Sequence, residues 1–380
     1  MAKIYNIKSK IILKKIFIQL GKNKFFNIIR YNKNLQNKFY ICLNNYKKEY
    51  YEIEIEINME DNSYDKFINV DKEYIPYLHV YFDNNKEEIK RNYTNELDKV
   101  KKIKVILNQE NNSLKNLFRH NTLIRKINFI KFNRKDIIDM SSLFMDCVCL
   151  KELDIHCLKT FNVVNMTHMF SDCSSLKELN ITNFDTNNVI DMSYMFDGCT
   201  SLEKLIFPKF KNDNVKNMSY IFNRCYSLKE LDLSNFNTNN VVNMEGMFCF
   251  CHSLKKLDLS NFNTYNVTNM TSMFYDCTSL EQVELSNFNT FNITDMSAMF
   301  CYCSSLKELN ISNSIVNNII DIKDMFFYCQ SLVTLNLPNF NIKNDEREIQ
   351  SMLETCPLLK NRKKIKNKFL CVDDTLCLCF

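Results

Sequence analysis

Residues Asn243–Thr268 read NMEGMFCFCHSLKKLDLSNFNTYNVT, and this 26-residue unit recurs without insertion or deletion along the chain. Its clearest mark is a cysteine column: Cys147, Cys173, Cys199, Cys225, Cys251, Cys277, Cys303 and Cys329. A phenylalanine stands three residues before each, from Phe144 to Phe326, and a leucine three residues after, from Leu150 to Leu332. A fixed period of this length is the signature of a solenoid, in which each unit buries its apolar side only against its neighbours.

Within the unit, Met244, Met247, Phe248 and Cys251 fall at i, i+3, i+4 and i+7, the spacing of one helix face. An Asn or Asp precedes the methionine position in every coil, from Asp139 and Asn165 to Asp295 and Asp321. Such residues cap helix starts by accepting the orphan amide donors of the first turn. Leu254, Leu257 and Leu259 then give L-x-x-L-x-L, ending in the period-two alternation of a strand. Phe262 and Val267 supply the return side. A further asparagine recurs at Asn162, Asn188, Asn214, Asn240, Asn266, Asn292 and Asn318, and reads as an amide ladder satisfying backbone groups at a turn. The expected fold is an α/β repeat solenoid, leucine-rich-repeat-like, with 26-residue coils of short helix plus strand and a small helical or mixed N-terminal region.

Four segments follow. Residues 1–48 are basic and helix-like, and residues 49–111 form a small mixed α/β region. There Tyr51–Ile57, Tyr77–Phe82 and Ile103–Leu107 read as strands and Glu87–Val100 as a charged helix. Residues 112–350 make the solenoid, eight regular coils over 139–346 preceded by a degenerate one in which Leu114, Phe118, Ile124, Ile127 and Phe129 keep the phase and Asn121 replaces the cysteine. Residues 351–380 are a C-terminal cap and basic tail, with Met352 and Cys356 one residue out of register.

The unit NMSYMF-x-x-C-x-SLKELDLSNFNT-x-NV, running from Asp139 to about Phe340, resembles the BspA-like leucine-rich repeats of microbial proteins, a mycoplasma-type repeat of unknown function. Pro208-Lys209-Phe210 and Ser314 depart from its usual Ser-Asn-Phe ending. The resemblance implies a leucine-rich-repeat scaffold, and a surface or adhesion role of the kind found in exported relatives.

Of the composition, seventeen cysteines, three glycines and the absence of tryptophan carry most information. With only Gly21, Gly198 and Gly246, neither a dinucleotide nor a P-loop phosphate motif can be written. The segment Ile11–Leu20 is broken by Lys14 and Lys15 and leads to no small-residue cleavage site, so a reducing, cytoplasmic setting is expected. The cysteine and methionine columns then read as core packing rather than disulfides or soft-metal ligands. The Cys249/Cys251 and Cys301/Cys303 pairs lie two coils apart, about 10 Å by strand spacing, too far for one zinc ion. The five histidines, His79, His120, His156, His168 and His252, occupy different repeat phases, and none recurs beside a cysteine or serine column as a triad would require. No catalytic residue, cofactor or metal site is expected, and a protein partner is. Outward strand positions such as Glu152, Glu178, Asp232 and Asp258 argue against a nucleic-acid groove despite the net charge of +5. The variable aromatics Tyr194, Tyr220, Phe250, Tyr275, Tyr302 and Tyr328 are the candidate anchors for that partner; inter-coil packing is the alternative for them.

Both ends carry weaker signals. Residues 1–50 hold twelve basic residues and one acid. Ile12, Leu13, Ile16 and Phe17, followed by Phe25, Phe26, Ile28 and Ile29, make this segment similar to an F-box, without its Leu-Pro opening or its tryptophan. That resemblance implies a cullin-ligase adaptor as partner, with the solenoid holding a substrate. The last four residues, Cys377-Leu378-Cys379-Phe380, fit a prenylation motif, and Lys360, Arg362, Lys363, Lys364, Lys366 and Lys368 precede it. Lipidation at Cys377 would tether the chain to a membrane; without it, no membrane contact is expected.

Overall fold

The computed structural model describes residues 51–370, apart from 61–63, 84, 208–212, 286, 290, 312–318, 339–340, 343–344 and 361. A five-stranded sheet opens the described chain: β1 (Ile53–Met59), β2 (Leu78–Phe82), β3 (Lys102–Leu107), β4 (Ile124–Phe132) and β5 (Glu152–Asp154), in the order β2-β3-β1-β4-β5. Alternation in β1 buries Ile53, Ile55 and Ile57 and turns Glu52, Glu54 and Glu56 outward. These glutamates pair across the sheet with Lys131, Lys104 and Lys102 at 2.6–2.8 Å. The charged segment 87–100 is not a helix. It is a string of turns and single bridges, Ile89 to Val80 and Tyr93 to Lys66, because Asn95 Oδ1 closes a local turn by accepting from Leu97 N while Asn92 Nδ2 reaches across to Ile68 O.

β4 belongs to the degenerate first coil and pairs on both sides, antiparallel with β1 and parallel with β5. The sheet of the N-terminal region therefore runs without a break into the solenoid. Later coils repeat the three-residue strand: Glu178–Asn180 pairs with Lys204–Ile206, Lys256–Asp258 with Gln282–Glu284, and Glu308–Asn310 with Thr334–Asn336, each parallel and offset by one coil. The Met, Phe, Cys and Leu columns are buried from end to end. The phenylalanines stack ring on ring from Phe118 to Phe326, with centroids 5.1–5.9 Å apart.

The expected short helix is replaced by a run of turns. Among the described residues the α-helices are α1 (Glu346–Glu354) and α2 (Arg362–Leu370), both beyond the coils. The reason lies in the direction of alternate amides. In the first regular coil the N–H groups of Met140, Ser142, Phe144 and Asp146 donate to Asn165, Thr167, Met169 and Ser171 of the next coil. Those of Leu143, Met145 and Cys147 close local turns. Ser142 and Asp146 make this possible by adopting left-handed backbone, φ 54° and 59°, and the same two positions do so in every coil. A helix would direct every amide to its own fourth predecessor; here half of them tie coil to coil.

The expected caps exist without a helix behind them. Asp139 Oδ1 accepts from Ser141 N at 2.9 Å, Asn217 from Ser219 and Asp295 from Ser297, and the backbones of this column bridge in parallel from Ser113 to Asp321. The asparagine ladder reaches across one turn: Asn162 Nδ2 donates to Lys135 O at 2.6 Å, Asn188 to Phe161 O and Asn266 to Asn239 O. Asn318 lies outside the described residues. At the far end α1 starts at Asp345, whose side chain accepts from Glu348 N, and it buries Ile349, Met352 and Leu353 over the last coil.

Candidate interaction surface

Every cysteine of the column donates its thiol proton to the carbonyl of the preceding coil's phenylalanine. Cys147 Sγ lies 3.1 Å from Phe118 O, Cys173 3.2 Å from Phe144 O and Cys329 3.1 Å from Phe300 O, with the same contact for Cys199, Cys225, Cys251, Cys277 and Cys303. Cys356, though one residue out of register, still reaches Phe326 O at 3.2 Å. Asn121 takes the cysteine's place in the degenerate coil and sends its amide to Lys66 O at 2.9 Å. Burial pushes these thiols far from ionisation, Cys251 well above the ordinary range, and Cys249 and Cys301 up to about 12. A thiol held protonated this way is a poor nucleophile and a poor metal ligand.

The histidines are each engaged locally. His79 meets Glu88 at 2.7 Å, His120 meets Asp146 at 2.7 Å, His156 meets Asp154 at 2.6 Å and His252 meets Asp276 at 3.0 Å. His168 stacks on Tyr194, and burial lowers its pKa. Among the described residues no group of three or more His, Cys, Asp or Glu could hold a metal ion.

The six aromatic candidates fall into two groups. Tyr194 and Tyr220 are half-buried and continue the stack from His168, at 4.6 and 4.9 Å. The Tyr220 hydroxyl donates to Glu245 at 2.7 Å, so this end is locked into the wall of the solenoid. Phe250, Tyr275, Tyr302 and Tyr328 belong to a second cluster with Phe327. Phe250 meets Tyr275 edge to face at 5.4 Å, Tyr275 meets Tyr302 at 5.7 Å, and Tyr302 stacks on Tyr328 at 5.3 Å. Tyr226 and His252 extend it on the N-terminal side. Tyr302 and Tyr328 are 37% and 42% exposed, so the strip opens to solvent at its C-terminal end. Five of the six candidates, all but Tyr275, sit on the left-handed backbone positions, φ 56–62°.

The strand face is more mixed than its own outward residues suggest. Glu152, Glu178, Asp232 and Asp258 are exposed, but an exposed lysine column, Lys151, Lys177, Lys229, Lys255 and Lys307, stands one residue ahead of the strand phase, at Lys229 in a coil without a strand. Lys307 pairs with Glu281 at 2.9 Å. A buried threonine column was not read from the sequence. Thr264 Oγ1 donates to Asn289 O at 2.8 Å and accepts from Asn289 N at 2.7 Å; Thr238 and Thr160 do the same for Asn263 and Asp185. Its signal is the Thr that ends Asn-Phe-Asn/Asp-Thr at 183–186, 235–238, 261–264 and 287–290, with Thr160 in the same phase: a polar residue kept in an otherwise apolar turn.

Ile12, Leu13, Ile16, Phe17 and Cys377 lie outside the described residues. Among the described residues no helix is long and apolar enough to cross a membrane.

Coils, columns and strand pairing define a leucine-rich-repeat-type solenoid. The chain belongs to the family described as Mycoplasma protein of unknown function, DUF285, whose profile matches residues 112–225, 178–256, 206–284 and 251–367. This is the mycoplasma-type repeat that the unit resembles. Similar solved structures include an internalin from Listeria monocytogenes, 16% identical, covering 62% of this chain and 65% of its own, TM-score 0.28. The chain thus spans slightly under two thirds of that internalin. Another is a leucine-rich repeat protein from Bacteroides ovatus, 17% identical, covering 60% of this chain and 76% of its own, TM-score 0.22. No functionally curated protein matches.

Proposed function

We propose that the solenoid is a non-catalytic protein-interaction scaffold that takes its partner on the aromatic strip of its C-terminal coils. The observation that carries this reading is the contiguous cluster from Phe250 through Tyr275 and Tyr302 to Tyr328, whose last two rings reach solvent. Large amphipathic rings held rigid by their neighbours lose little entropy on binding, which is why such residues dominate interface hot spots. Tyr194 and Tyr220 serve the wall of the solenoid instead.

The experiment is quantitative affinity capture from the native host by the full chain and by its Tyr302→Ser/Tyr328→Ser variant. A partner retained by the first and lost by the second, at equal thermal stability, supports the reading. Equal capture by both overturns the assignment of the strip. Two sharper forms of the proposal use the chain ends. An F-box-like adaptor would recover a cullin-ligase adaptor dependent on Ile12, Leu13, Ile16 and Phe17, and a membrane-tethered scaffold would show an isoprenoid mass on Cys377. A surface protein like exported relatives would instead be shaved from intact cells by protease.

A further inference from the structure

The aromatic strip lies in the acidic part of a chain whose net charge is +5. The coils that hold it, residues 243–338, carry nine carboxylates against four lysines and no arginine. Three of those lysines, Lys255, Lys256 and Lys307, stand at the strand face. The turns of these coils set Lys323 against Glu245, Asp276, Asp295, Asp321 and Asp324. Asp295 and Asp321 accept turn amides, from Ser297 N and Lys323 N, and Glu245 accepts from the Tyr220 hydroxyl. Asp276 and Asp324 remain. Asp276 meets His252 at 3.0 Å and keeps a quarter of its side chain in solvent. Asp324 is exposed and has no ion-pair partner among the described residues.

Both of these carboxylates stand beside Tyr302 in the repeat. Asp276 occupies the phase of Tyr302 one coil back, about 4.8 Å along the solenoid. Asp324 lies one coil ahead, four residues before Tyr328, on whose ring Tyr302 stacks at 5.3 Å. Their charges converge on Cys301, which shares a column with Tyr275 and Phe327: burial first, then Asp324 and Asp276, push its thiol up to about 12. Electron-rich rings with fixed negative charge beside them attract a cation and repel a carboxylate. Guanidinium suits the place best, because its plane stacks on an aromatic ring while its N–H groups fork to an acid. We infer that the strip receives an arginine-bearing basic segment of its protein partner, with a guanidinium against Tyr302 and Tyr328 and its charge met by Asp276 and Asp324, which rests on the reading of the strip as an interaction surface.

Asp276 and Asp324 both sit in left-handed backbone, φ 56° and 55°, which asparagine also tolerates, so Asp276→Asn/Asp324→Asn removes the charge and keeps the coils folded. The probe is a fluorescein-labelled heptapeptide alternating glycine and arginine, titrated against the full chain by anisotropy at low salt. The same peptide with neutral citrulline for arginine runs beside it. The arginine peptide is expected to bind saturably and at least about tenfold tighter than the citrulline peptide. Asp276→Asn/Asp324→Asn and Tyr302→Ser/Tyr328→Ser should each weaken it about fivefold at unchanged melting temperature, and Glu178→Gln/Glu308→Gln on the strand face should not. No binding of the arginine peptide, equal binding of the citrulline peptide, or an equal loss in the strand-face variant would overturn the inference. So would unchanged binding by the aspartate variant. In affinity capture from the native host, a partner that needs the tyrosines and not the aspartates overturns this inference alone, whereas capture that ignores the tyrosines overturns the proposed function.

Discussion

The ring of Tyr220 lies in the space that a side chain at position 246 would need: a Cβ on Gly246 would meet Tyr220 Cε1 at 2.2 Å. Residue 246 also sits in left-handed backbone, φ 57°, as Tyr220 does one coil earlier at 56°. The aromatic stack of the early coils therefore ends at a glycine, which leaves room for the last ring and for its hydroxyl bond to Glu245.

Gly246→Ala is accordingly expected to cost about 2–3 kcal/mol, from overpacking against the ring and from the backbone conformation together. Urea unfolding measures it. In a Tyr220→Ala background the same change should cost only about 1 kcal/mol, because the backbone contribution alone remains. An unchanged cost would mean that the ring is not what the glycine accommodates.

The thiol column makes stability fall at alkaline pH. Burial raises the folded pKa of each ladder cysteine above the unfolded value of about 8.5, so the protonated form is favoured in the fold. Stability is intact below the unfolded pKa. Above it the unfolded chain releases thiol protons that the fold retains, at about 1.4 kcal/mol per thiol per pH unit. Unfolding is expected to set in steeply above about pH 9 and to release several protons at once, as titration against pH would record. Native labelling with a thiol reagent, mapped by peptide, should spare the column and Cys249 and Cys301 at pH 8. The half-exposed Cys149 should react.

Thr264 is fully buried, and its hydroxyl serves both backbone groups of Asn289. Thr264→Val keeps the shape and strands a donor and an acceptor, so a loss of about 2–3 kcal/mol is expected. Thr264→Ser keeps both bonds and should lose about 1 kcal/mol or less. Equal losses would show that the methyl, not the hydroxyl, matters.

The inward columns were legible because burial repeats with the period: Met244, Phe248, Cys251, Leu254 and Leu257 fill the core that their spacing assigns them. The backbone between them was not. The spacing i, i+3, i+4, i+7 fits a helix face, and it equally fits a run of turns in which two left-handed residues keep the same side chains pointing inward. The distinguishing signal was present at those two phases. Gly246 and Gly198, the only glycines of the solenoid, stand there, with Asp146, Asp172, Asp276 and Asp324, types that tolerate positive φ. It was obscured by the tyrosines and Phe250 at the same phases, which are costly there and are held by stacking. The aromatic candidates were visible as variable positions, but their division into a locked group and an open strip depends on contacts between coils. Charge at the strand face depends on more than the strand positions, because the lysine column precedes the strand by one residue.

Protein binding by the strip ending in Tyr302 and Tyr328 is open to direct titration. The decisive quantity is the dissociation constant of the captured partner for the full chain and for Tyr302→Ser/Tyr328→Ser. Saturable binding that weakens at least about tenfold in the variant, with melting temperature unchanged, is expected. Equal affinity for both proteins would contradict it.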